Sequence, residues 1–222
     1  MRKSLWLSCL GVSGLLFSAT AAQAALLTGS LSITNGDKLF NNFTCSVTSQ
    51  GSGTPTSCGS INVNAFTDSF GNLGIQFTFA DNVTTLNSNT DITLGYDVAV
   101  VGSSNLISDI HMSFNGNITG SGSTNVTETV NGVIPATATI GQITVQNPPP
   151  VLDALIPLSQ NVSKAHVIKD ILTQVGSSAG TADISAISQT FSQTGVPEPT
   201  SVVLFGTILL GVTSILRRRA QA

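Results

Sequence analysis

The sequence predicts an all-β protein: a single antiparallel β-sandwich, with a closed barrel as the alternative, flanked by a signal-peptide helix at the N-terminus and a transmembrane helix at the C-terminus. Three observations carry this prediction. Apolar residues recur with period two through the middle of the chain, as in "DITLGYDVAV" and "GIQFTFA". Clusters of Gly, Asn and Ser separate such runs and suit turns, glycine through positive φ and the others through local side-chain hydrogen bonds. Val and Thr abound, whereas stretches of good helix formers are scarce.

The first element is "MRKSLWLSCLGVSGLLFSATAAQA". Arg2 and Lys3 precede an apolar run over residues 5–17, and Ala22 and Ala24 place small residues where signal peptidase cuts, before Ala25. This pattern predicts a secretory signal peptide over 1–24. A run so short, ending at once in a cleavage site, argues against a lasting anchor. Cys9 lies too close to the initiator methionine, with the apolar run continuing past it, to be a lipoprotein cysteine.

Residues 25–196 are then one domain of strands. In "DITLGYDVAV", Ile92, Leu94, Tyr96, Val98 and Val100 share one parity; in "GIQFTFA", Ile75, Phe77 and Phe79 do the same. One face therefore meets a core and the other meets water. Further strands are expected at "SLSIT", "INVNAF", "DIHMSF", "NVTETV", "TATIGQITVQ" and "HVIKDILTQV". "NPPPVLDALIP" reads as a long connection or sheet edge, since proline cannot donate to a ladder. In "SKAHVIKDILTQ", Ala165, Val167 and Ile171 alternate with Lys164, His166 and Asp170, so a strand is expected rather than a helix. Lys169 breaks that inward series and calls for an edge position or a bulge. No fixed-period repeat is present, which argues against a solenoid.

Of three cysteines, Cys45 and Cys58 remain after signal cleavage, joined by a Gly/Ser/Pro-rich loop. In an exported chain this predicts a disulfide. Two isolated cysteines without nearby histidine make a poor zinc set, and redox pairs favour a tighter spacing. The terminal segments also carry most of the cations. Between them lie only Lys38, Lys164 and Lys169 against ten acids, a balance of −7. So acidic a body repels phosphates, and no nucleic-acid partner is expected.

The last element is "VPEPTSVVLFGTILLGVTSILRRRAQA". Its apolar stretch, 16 residues from 201 to 216, reaches about 24 Å as a helix against a hydrocarbon core near 30 Å. Arg217, Arg218 and Arg219 then belong on the cytoplasmic side, leaving the body exported. Pro197-Glu198-Pro199, the apolar helix and the arginine cluster, in that order over 197–222, resemble the PEP-CTERM sorting signal processed by exosortases of Gram-negative bacteria. The resemblance implies passage across the inner membrane, a transient stop there through the C-terminal helix, and release to the cell surface or extracellular space. A permanent tail anchor is the alternative. Blocks such as "GDKLFNNFTCSVT", "ITLGYDV", "GSGSTNVTETV" and "VIKDI" resemble a subset of exported PEP-CTERM proteins, which implies association with exopolysaccharide or biofilm matrix. Signal peptidase and exosortase are the partners expected during export.

The body offers little chemistry to the eye. His111 and His166 stand apart from any metal-spaced cluster, and His166 with Lys164 and Asp170 reads as a solvated face. Asp81, Asp91, Asp97 and Asp109 fit no calcium-loop spacing. No Gly-x-Ser-x-Gly elbow occurs. Asn-x-Ser/Thr matches at Asn42, Asn82, Asn117, Asn125 and Asn161 read as chance in so Asn-rich a chain. No catalytic residue, metal or cofactor is expected. The reading is a non-enzymatic exported surface or matrix protein; the alternative is a carbohydrate-binding module for the exopolysaccharide. Against a stacking site, Trp6 leaves with the signal peptide, Tyr96 is the body's only tyrosine, and the phenylalanines mostly fit inward positions.

Overall fold

A computed structural model describes residues 25–27, 30–51, 57–132 and 138–195. The signal segment with Ala22 and Ala24, the motif Pro197-Glu198-Pro199, the apolar stretch and Arg217, Arg218 and Arg219 lie outside them. Ala25 opens the first strand.

Ten strands follow one another: β1 (Ala25–Leu26), β2 (Ile33–Asn35), β3 (Lys38–Gln50), β4 (Asn62–Thr67), β5 (Leu73–Val83), β6 (Ser88–Val100), β7 (Leu106–Gly132), β8 (Thr139–Asn147), β9 (Asp153–Val162) and β10 (Lys164–Thr194). Every strand pairing is antiparallel. The one helical turn among the described residues is a 3-10 turn, Cys58–Ser60. None of the described helices is long and apolar enough to cross a membrane.

β7 and β10 organise the domain. They form one long antiparallel pair whose register shifts between Val175 and Gly180. Before that shift, β10 lies between β6 and the second half of β7; after it, between β5 and the first half of β7. The first layer therefore runs β2-β3-β6-β10-β7-β8 and the second β1-β4-β5-β10-β7-β9. The two layers are halves of one hydrogen-bonded sheet folded over. At the fold, Gly120 has φ +54°, and a Cβ there would meet the carbonyl of Ala179, so a side chain is excluded for two reasons at once.

The layers face each other across an aromatic seam. Tyr96 of β6 lies 5.8 Å from Phe77 of β5, and Phe40 of β3 lies 6.1 Å from Phe191 of β10, between ring centroids. Burial of Ile75, Ile92, Leu94, Val98, Ile110, Val126, Val167 and Ile171 completes the core. The alternating parities of β5 and β6 are those expected from the sequence. The architecture is a nearly closed two-layered β structure, with features of both the sandwich and the barrel alternative.

Two expectations change in detail, and the proline-rich segment takes the edge alternative. "DIHMSF" and "NVTETV" are parts of one strand, β7, because the intervening Gly/Ser/Asn residues continue the ladder opposite β10. The proline-rich segment resolves into a turn over 148–150 followed by β9, an edge strand. Lys169 is at neither an edge nor a bulge: it sits mid-strand between β6 and β7 in unbroken register and is fully buried. It keeps the inward parity of Ala165, Val167 and Ile171 because Glu128, directly opposite on β7, also points inward and meets its side-chain nitrogen.

The disulfide is present. Cys45 of β3 is bonded to Cys58 in the 3-10 turn, with Cα atoms 5.8 Å apart.

Candidate functional site

The outer face of the second layer carries polar groups on five adjacent strands, among them Ser188 and Thr190, which are largely covered. Since Ile75, Phe77, Ile187, Gln189, Ile110 and Met112 face the core, their neighbours face outward. The pairing registers place Asn64, Gln76, Ser188, Ser113 and Asp153 directly opposite one another in a single row across β4, β5, β10, β7 and β9. A second row runs Phe66, Gly74, Thr190, His111, Leu155. With strands about 4.8 Å apart, each row spans roughly 19 Å. Within the first row Gln76 Nε2 donates to Ser188 Oγ at 2.9 Å.

The loop "DSFGN" walls one side of these rows. Asp68 Oδ1 accepts from the backbone N–H of Phe70 and of Asn72, each at 2.9 Å, and Oδ2 accepts from Asn72 Nδ2 at 3.0 Å and Thr190 Oγ1 at 2.8 Å. Gly71, at φ +85°, lets the loop turn back. One short acidic side chain thus fixes the loop's shape and ties it to the sheet below. The loop holds Phe70 out in solvent at 80% exposure. Between loop and strands lies a cleft of about 220 Å³, lined by Phe66, Asp68, His111, Ser113, Asp153 and Thr190 among others.

His111 bridges the cleft. Its Nε2 is 2.8 Å from Asp153 Oδ2 and its Nδ1 3.4 Å from Asp68 Oδ2. Partial burial draws the imidazole's pKa down, but hydrogen bonding and charge from Asp153 and Asp68 outweigh it and hold the pKa above the ordinary histidine value. Burial likewise raises Asp68, and the donors Asn72, Thr190 and His111 override it, leaving the carboxyl far below the usual aspartate range. Both ring nitrogens face carboxylates, and the hydroxyl of Thr190 donates to Asp68 rather than to the ring. The geometry is that of a braced polar surface, suited to hydrogen bonding with a polyhydroxylated ligand.

The other singled-out residues do not converge here. Lys164 Nζ and His166 Nδ1 meet Asp97 at 2.9 and 2.7 Å on the outside of the first layer, joined by Asn42. Asp91 lies beside Asp170, and burial with that neighbour's charge raises its pKa. Asp109 accepts from the backbone N–H of Ser192. Among the described residues no group of three or more His, Cys, Asp or Glu is arranged to hold a metal ion. Tyr96 is buried, as its inward parity requires. Sequence reasoning missed Asp68, Phe70 and Asp153. The signal for the first two is present in "DSFGN", a loop-forming Asp followed three residues later by Gly; nothing local marks Asp153.

No family model matches the sequence, and no curated protein matches it. Among solved structures the chain is similar to the enzymatically active domain of tailspike protein 4 of bacteriophage CBA120, at 12% identity and TM-score 0.33 over 68% of this chain, spanning only 19% of that chain's length. It is similar to TmCBM61 in complex with β-1,4-galactotriose, at 8% identity and TM-score 0.33 over 67% of this chain and 88% of that one. It is also similar to the family 11 carbohydrate-binding module of a cellulosomal cellulase of Clostridium thermocellum, at 8% identity and TM-score 0.25 over 78% and 97%. Likenesses this distant leave the chemistry of the face to its own residues.

Proposed function

We propose that the protein is an exported, non-catalytic polysaccharide-binding protein of the cell surface or extracellular matrix, holding its polymer across the outer face of the second layer. The observation that carries this reading is the row Asn64, Gln76, Ser188, Ser113, Asp153. Amide, hydroxyl and carboxylate groups in line offer both donors and acceptors, which is what a run of sugar hydroxyls requires. Phe70 in solvent and the half-buried Phe66, at the end of the neighbouring second row, add apolar ring surface for the C–H faces of sugars. The acidic balance of the body favours a neutral polymer over a polyanion. Export and sorting rest on the ends: the signal sequence over 1–24 and the resemblance of 197–222 to an exosortase-processed tail.

The test is a pull-down of the exported protein with exopolysaccharide from an exosortase-bearing host, alongside a glycan array. Phe70→Ala and Gln76→Ala should each weaken saturable binding at least tenfold while leaving the melting temperature nearly unchanged. Wild type that binds no polymer would return the protein to a purely structural role in the matrix, and variants that bind like a polymer-binding wild type would move the polymer off this face. Sorting is tested separately by mass and fractionation in the same host, where Glu198→Ala should make full-length precursor accumulate in the inner membrane.

A further inference from the structure

Four side chains meet at the centre of the core, two from each layer. Lys169 of β10 stands opposite Glu128 of β7 in the first layer, and Gln189 of β10 stands opposite Met112 of β7 in the second. Lys169 Nζ contacts Glu128 Oε2, lies 2.6 Å from Gln189 Oε1 and 3.4 Å from Met112 Sδ. Lys169, Glu128, Gln189 and Met112 are all fully buried. Glu128 Oε1 and Gln189 Nε2 have no hydrogen-bond partner among the described residues. A buried ion pair kept only for stability gains from having its remaining polar atoms satisfied. Here two atoms are left unanchored, Glu128 Oε1 and the amide nitrogen of Gln189, the latter on the carboxamide whose oxygen faces the amine.

We propose that Lys169 and Gln189 are joined by an intramolecular amide bond, formed autocatalytically with Glu128 as the proton shuttle. The components are an amine, an acyl group and a carboxyl acid/base held together in a dry core. Burial lowers the pKa of Lys169 and raises that of Glu128, in each case against the partner's charge, which favours the neutral amine and the neutral acid. The amine lone pair attacks Cδ of Gln189, forming the Nζ–Cδ bond as the carbonyl π electrons move to Oε1, which takes the proton of Glu128. The Glu128 carboxylate then removes a proton from Nζ and delivers it to Nε2. The Cδ–Nε2 bond breaks, ammonia leaves, and the proton on Oε1 returns to Glu128 as the carbonyl reforms. One amide is exchanged for another with loss of ammonia, Glu128 ends as it began, and no oxidant or cofactor is needed. The product staples the first half of β10 to its second half, and so one layer to the other, through the middle of the core.

The test is mass spectrometry of the exported protein beside Lys169→Met and Glu128→Gln variants. Whatever the processed ends, they are common to all three chains. Relative to the masses expected from the substitutions, wild type should be lighter than both variants by one ammonia, and tandem spectra of its digest should contain a branched peptide joining Lys169 to Gln189. Glu128→Gln preserves volume and should show both residues unjoined in a chain whose disulfide has formed. Folded wild type carrying no mass deficit overturns the proposal without recourse to any variant. A deficit of one water with Lys169 joined to Glu128 overturns the assignment of Gln189 as acyl donor, and a deficit of one ammonia mapped elsewhere in the chain overturns the cross-link.

Discussion

His111 Nε2 on β7 stands 2.8 Å from Asp153 Oδ2 on β9, an ion pair laid across the solvent side of an edge strand. Because the pKa of His111 is raised in the folded state, its contribution to stability is complete below the unfolded value of roughly 6.5 and fades as pH rises through the folded pKa. Asp153→Asn should lower the His111 pKa in an NMR titration and cost stability at about pH 5, with the difference from wild type shrinking above neutrality. Asp153 is 63% exposed, so the cost should stay below about 1 kcal/mol.

Asp68 should matter more. Its side chain accepts two hydrogen bonds from backbone N–H groups and one each from the side chains of Asn72 and Thr190, with His111 Nδ1 at 3.4 Å as a further partner. Asp68→Ala should destabilise the domain by about 2–3 kcal/mol in urea titrations, the range for buried hydrogen bonds to a charged group. Its depressed pKa makes that stabilisation complete above about pH 4 and lost as pH falls toward the folded value. Wild type should therefore weaken in acid more steeply than the variant.

Tyr96 presents the opposite case. Its hydroxyl is buried with no hydrogen-bond partner among the described residues, while its ring packs against Phe40, Phe43 and Phe77. Tyr96→Phe keeps the ring contacts and removes an unsatisfied polar group. Thermal unfolding should show a variant at least as stable as wild type, with a gain of up to about 1 kcal/mol.

The disulfide between Cys45 and Cys58 closes a loop with a sequence separation of 13. Replacing both cysteines with serine should lower stability by about 3 kcal/mol through the freedom returned to the unfolded chain. Equilibrium unfolding of the double variant against oxidised wild type measures it.

Strands with clean alternation are legible in the amino-acid sequence: Ile75, Phe77 and Phe79, and Ile92 through Val98, face where period two puts them. The second half of β10 is not, because "GSSAGTADIS" reads as turn chemistry and becomes strand only through its ladder with β7 and β5. Lys169 misleads for a related reason. A buried lysine is reasonable only beside its neutraliser, and Glu128 lies 41 residues away. The candidate face is hidden for the same cause, since Asn64, Gln76, Ser188, Ser113 and Asp153 share no local pattern and become a row only when five strands settle into register.

β10 has a hydrogen-bonded neighbour on both sides over residues 165–175 and again over 182–191. A pull applied at Thr194 runs along the strand axis and, from Phe191 inward, loads two ladders in parallel, so that many hydrogen bonds must slide together instead of opening one at a time. Forced unfolding is governed by the height of the barrier to that sliding rather than by equilibrium stability. The second half of β10 is in this sense held like a rope gripped from two sides.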